Sequence, residues 1–122
     1  MNKTIIYTEN APEPIGPYSQ AVLAGDTLYV SGQIAYETSL LGNVSAEAEQ
    51  VMKNLEAILE AAEMTFENVV KCSIFLKSMD DFAAVNEVYG KRFLVNPPAR
   101  ETVQVARLPK DVQVEISLIA VK

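Results

Sequence analysis

Apolar residues recur along this chain with two different periods, and the switches between them divide it into elements. A short edge strand is predicted at Lys3 to Tyr7. A stiff extended loop follows at Ala11 to Pro17, where Pro12, Pro14 and Pro17 fix φ or remove donors. Ser19 to Ala24 and Thr27 to Ile34 form a predicted hairpin around Gly25-Asp26. In its second strand Leu28, Val30 and Ile34 would face one way, and Tyr29, Ser31 and Gln33 the other. Tyr36 to Asn43 reads as a loop, after which the period lengthens. Val51, Leu55, Ile58, Leu59 and Ala62 form one helical stripe behind a predicted N-cap at Ser45, with Glu47 and Glu49 in the first turn.

Val69 to Lys77 is rich in β-branched and aromatic residues and reads as a strand. Ser78 with Asp81 resembles a capping box, opening a helix to about Phe93 with Phe82, Val85, Tyr89 and Phe93 inward. Asn96-Pro97-Pro98 stops it. Two closing strands, Ala99 to Ala106 and Val112 to Val121, are predicted to join through turn chemistry at Leu108-Pro109-Lys110-Asp111.

This order, β-β-β-α-β-α-β-β, predicts an α+β fold in a single domain over residues 1–122. A mixed sheet of five to six strands would carry two helices on one face. The other face then lacks a cover. It would carry Tyr29, Ser31 and Gln33, with Arg100, Thr102 and Gln104, and with Gln113, Glu115, Ser117, Ile119 and Val121. Such a face is too polar for a core and, near Ile119 and Val121, too apolar for open solvent. Self-association with polar pockets between subunits is the economical expectation.

Composition narrows the chemistry. The chain has no histidine, which removes the commonest general base and metal ligand, and excludes Ser-His-Asp and Cys-His mechanisms. One cysteine, Cys72, rules out an intrachain disulfide and a structural zinc site; alternating with Val70 and Ile74, it reads as plain core. A net charge of −6 with scattered basic residues disfavours nucleic-acid partners. No apolar run suits a membrane span and the start shows no signal-peptide pattern, so a cytoplasmic location is expected. The five glycines are isolated, so no phosphate-cradling loop is present.

The remaining candidates are few. Arg100 opens a strand behind two prolines; its rigid fork suits a carboxylate, although a surface ion pair would also account for it. Glu115, alone among apolar neighbours, is either a functional carboxylate or a solvated edge residue or ion-pair partner; burial in an oligomer would raise its pKa and let it move protons. Ser31 has nothing to activate it and reads as a hydrogen-bond donor. Asn86 is either a satisfied buried amide or a pocket-lining group. Tyr18 packs the loop or walls a pocket.

At these residues the chain resembles the reactive intermediate deaminase family, the Rid/YjgF group, and within it the RidA branch. The motifs are Ala11-Pro12-Glu13-Pro14-Ile15-Gly16-Pro17-Tyr18-Ser19-Gln20, Ser31-Gly32-Gln33-Ile34, Asp81 to Tyr89, and Pro98-Ala99-Arg100 through Lys110-Asp111. The resemblance implies a chorismate-mutase-like fold and a homotrimer whose sheets form a barrel, with pockets between subunits. It implies hydrolysis of enamine/imine intermediates such as 2-aminoacrylate to 2-keto acids and ammonia, without cofactor or metal. It further implies that Arg100 binds the substrate carboxylate and Glu115 orients or activates water, with Tyr18, Ser31, Gly32, Asn86 and Thr102 contributing to substrate binding.

The chain departs from the family in two places. Thr102 stands where cysteine is frequent, and the loop after Ile34 is shorter than usual. Neither removes water as the nucleophile. Two other functions are weighed against the deaminase: a module that binds a keto acid or amino-acid derivative without turning it over, and an endoribonuclease, against which the acidic charge and missing histidine count.

Overall fold

In the computed structural model, which describes residues 2–122, six strands form one sheet in the order β1-β2-β3-β6-β4-β5. The strands are β1 (Lys3–Ile6), β2 (Ala21–Ala24), β3 (Thr27–Gln33), β4 (Val69–Leu76), β5 (Ala99–Gln104) and β6 (Val114–Val121). The helices are α1 (Tyr36–Ser39), α2 (Val44–Ala61) and α3 (Phe82–Gly90). Every pairing is antiparallel except β4 with β5. Met1, the first residue of the predicted leaderless start, lies outside the described residues. Among those residues, no helix is long and apolar enough to cross a membrane.

The two longer helices lie on one face of the sheet, as the stripe of α2 predicts. Val51, Met52, Leu55, Ile58 and Leu59 are buried against Leu28 and Val30 of β3, Ile74 and Leu76 of β4, and Val114, Ile116 and Leu118 of β6. β6 keeps strict alternation, so Glu115, Ser117 and Ile119 stand on the opposite face without a cover. Glu47, fully buried, ties α2 to the start of β6. Its carboxylate accepts from the Gln113 and Val114 backbone N–H groups at 2.9 and 3.2 Å and from Gln113 Nε2 at 2.7 Å. Burial still pushes its pKa up.

Several local expectations are corrected. Asn43, not Ser45, caps α2: its side chain accepts from the Ala46 N–H at 3.1 Å, and Gly42 supplies the positive φ that brings the chain there. Tyr36 to Ser39 is a helical turn rather than loop. Ser78 caps a 3-10 turn at Met79–Asp81, and α3 ends at Gly90, short of Phe93. The closing strands do not form a hairpin. β5 pairs only with β4, while β6 lies on β4's other side, so residues 105–113 cross the end of β4.

Two corrections move candidate residues between faces. β3 pairs Val30 with Leu118 but Gln33 with Ile116, so an extra residue bulges at Ser31-Gly32. The bulge reverses the alternation: Gln33 is buried on the helix side and Ile34 is left half-buried. In β5, Arg100 stands opposite Cys72, Thr102 opposite Ile74 and Gln104 opposite Leu76. These three therefore point to the helix side, not to the uncovered face. β5 is an edge strand with polar residues on both sides, so its composition carries no signal of which side is inward.

Candidate active site in two halves

The candidate residues assemble as two clusters on opposite faces of the sheet. The first is built on β5 and α3. Phe82, Asn86 and Tyr89 recur at helical spacing and share the face of α3 that meets Arg100. Arg100 Nη1 donates to Asn86 Oδ1 at 2.5 Å; a guanidinium offers no acceptor, which fixes the amide's orientation. Its Cζ lies 5.0 Å from the Tyr89 ring centroid and 5.7 Å from that of Phe82, both within cation–π range. Asn86 is exposed, which excludes its reading as a buried amide.

Arg100 has no carboxylate. The ion pairs among the described residues are Lys71–Glu101, Lys77–Asp111 and Arg92–Glu49. Beside Arg100, Thr102 Oγ1 is buried without a hydrogen-bond partner, and the buried Tyr89 Oη has the Cys72 thiol as its polar neighbour. Cys72 lies in the core, as expected, and burial pushes its thiol pKa up. Burial likewise drives the Tyr89 hydroxyl well above the ordinary tyrosine range.

The second cluster forms where the bulge of β3 meets β6. Gly32 lies under the Glu115 side chain, close enough that a β-carbon there would contact the carboxylate. Glu115 is half-buried with no charged partner among the described residues, and desolvation alone pushes its pKa up. Ser31 is held to the preceding loop: its N–H donates to the Gln20 carbonyl at 2.9 Å and its hydroxyl to the Ser19 carbonyl at 2.6 Å. Tyr18 stands half-exposed above the loop, its hydroxyl accepting from the Ile15 N–H at 3.2 Å. A cleft of about 510 Å³ opens beside Tyr18 and Gly32, lined also by Ile34, Tyr36, Asn54 and Lys110 among others; Ser31 and Glu115 are not part of its lining.

Reasoning from sequence missed two contributors. Gln20, 2% exposed, fixes the loop that carries Tyr18. Its Nε2 donates to the carbonyls of Thr8, Ala11 and Pro12, and its Oε1 accepts from the Thr8 N–H at 2.8 Å. Tyr89 was legible only as core. The helical spacing of Phe82, Asn86 and Tyr89 was the available signal that one α3 face serves Arg100.

The halves do not meet within one chain. Glu115 stands opposite Phe75, and Phe75 opposite Val103, three residues beyond Arg100 on the edge strand. Two strand spacings and three residues place the α-carbons roughly 10 Å apart in each direction, with side chains on opposite faces. No group of three or more His, Cys, Asp or Glu side chains suited to a metal ion occurs among the described residues.

Residues 8–122 match the family described as endoribonuclease L-PSP. A RutC family protein of Pyrococcus horikoshii is 48% identical, covering 98% of each chain. The human 2-iminobutanoate/2-iminopropanoate deaminase is 46% identical, covering 98% of this chain and 90% of that one. The crystal structure of E. coli TdcF with bound serine superposes with a TM-score of 0.88 at 40% identity, covering 98% of both chains.

Proposed function

The chain belongs to the Rid/YjgF family, and on that footing we propose that it hydrolyses 2-imino acids to 2-keto acids and ammonia. The substrates would be reactive enamine/imine intermediates such as 2-aminoacrylate, the class for which the human relative is named. Arg100 carries this reading. In a chain with 16 acidic and 10 basic residues, a fixed, half-buried guanidinium without a carboxylate partner is suited to receive one from a ligand. Serine bound to the related TdcF is likewise a small molecule with a carboxylate.

A protonated imine is already electrophilic at carbon. Water adds to that carbon and one of its protons passes to the amine nitrogen; the C–N bond then breaks as the remaining hydroxyl proton passes to the departing ammonia, leaving the keto acid and ammonium. The protein's task is to hold the substrate carboxylate and to place water beside a proton-transfer group. Arg100, steadied by Asn86, would do the first. Glu115 would do the second, its raised pKa bringing it toward the range where a carboxylate both takes and returns protons. No cofactor is required.

Because the two halves stand on opposite faces, the complete site would form between chains, in a homotrimer that closes over the bare face of the sheet. Tyr29, Val103 and Val121 are exposed there, an apolar surface that association would bury. The test is release of ammonia and 2-ketobutyrate from 2-iminobutanoate generated in situ. Wild type should accelerate it; Arg100→Ala should lose at least about a hundredfold in kcat/KM while remaining folded and trimeric, since each of the two charge-assisted hydrogen bonds of a bidentate arginine–carboxylate pair is worth about 1.5–3 kcal/mol. Full activity in that variant refutes the assignment. Ligand binding without turnover would mark a binding protein instead.

A further inference from the structure

We propose that Tyr89 is the positioning residue that sets Arg100 for its anionic ligand, an inference that rests on the reading of Arg100 above. An arginine side chain carries about 2 kcal/mol of rotamer entropy, so a guanidinium standing without an ion pair needs walls to hold one geometry. Asn86 fixes one nitrogen through a single bond. That leaves rotation about the bond, which the Tyr89 ring, 5.0 Å from Cζ, restricts. Phe82 at 5.7 Å adds a second, half-buried wall.

Tyr89 is itself braced. Its ring packs against Phe93 with centroids 4.7 Å apart, and Phe93 meets Phe66 edge-on at 5.4 Å. This aromatic series runs from the turn before β4 to the guanidinium, so the wall cannot swing away without disturbing the core. The residue is 6% exposed, so the ring that faces Arg100 is anchored in the core rather than standing free on the surface.

Binding of 2-ketobutyrate, read by calorimetry, and KM against kcat with in situ 2-iminobutanoate test this directly. Tyr89→Leu should weaken keto-acid binding and raise KM at least about tenfold, with kcat changed less than about threefold. Tyr89→Phe, which keeps the ring, should recover most of the affinity. Phe82→Leu, which leaves the core intact, should raise KM severalfold, and so carries the test if Tyr89→Leu does not fold. The decisive comparison is a double-mutant cycle: in an Arg100→Ala background, Tyr89→Leu and Phe82→Leu should no longer change affinity. Equal effects in both backgrounds, or wild-type KM in both Tyr89→Leu and Phe82→Leu, would overturn the proposal. If Arg100→Ala binds keto acid as wild type does, the clamp itself is wrong; if it does not and the ring variants do, only the role of Tyr89 fails.

Discussion

A β-carbon at position 32 would fall 1.9 Å from Glu115 Oε2, so glycine at 32 is what lets the carboxylate lie across the bulge of β3. The atom in the way is the end of a side chain rather than backbone, so it can move. Gly32→Ala should therefore displace Glu115 at little cost to the fold. Activity is expected to fall about a hundredfold, the scale of a misplaced acid–base group, while stability to urea changes by less than about 1 kcal/mol. An active Gly32→Ala enzyme would mean that the position of Glu115 does not matter.

Glu115 also sets the expected pH dependence. Its pKa lies above the ordinary glutamate value of 4.5 because burial disfavours the ionised form. Acting as the base, it must be ionised, so kcat/KM should rise with pH through that raised value and then level; Glu115→Gln should abolish the limb along with the activity. Stability moves the other way. With the folded-state pKa above the unfolded one, Glu115's contribution is fully present below the unfolded value and is lost as pH rises through the folded one. Glu115→Gln should thus melt higher than wild type at pH 7 and no higher at pH 4.

Subunit mixing tests whether the two halves belong to different chains. Arg100→Ala and Glu115→Gln are each expected to be inactive. Unfolded and refolded together in equal amounts, they should regain about a quarter of wild-type activity, since one interface in four would pair an intact arginine with an intact glutamate. No recovery from well-formed mixed trimers would place both residues in one chain's site.

Gln20 should matter to stability more than to chemistry. Gln20→Ala removes the partner of one backbone N–H and three carbonyls in residues 8–12. An expected loss of about 2–4 kcal/mol in urea unfolding, with kcat/KM reduced through the loosened Tyr18 loop, follows from unsatisfied buried backbone groups. A loss below about 0.5 kcal/mol would show that water replaces the amide.

Where hydrophobic alternation was strong, as in α2 and β6, the sequence gives both the element and its inward face. Alternation fails where an element has no apolar side. Arg100, Glu101, Thr102, Val103 and Gln104 offer no such side, so only the parallel pairing with β4 turns Arg100 toward α3. Ser31-Gly32 carried a usable signal, an isolated glycine within a strand, which often marks a bulge. Read that way, it would have moved Gln33 to the buried face. The separation of Arg100 from Glu115 was not legible at all, because it depends on which strand lies between them.

Cys72 gives the molecule a built-in reporter. It is the sole cysteine, 1% exposed, and stands opposite Arg100 across the last strand pair of the sheet. Its side chain lies on the helix side of β4, so a thiol reagent reaches it only when α3 or the β5 edge moves away, and the labelling rate measures how often this region opens. An anion seated on Arg100, which Asn86 ties to α3, would slow that opening. Occupancy of one half of the site could then be timed chemically, in the unmodified protein, without following turnover.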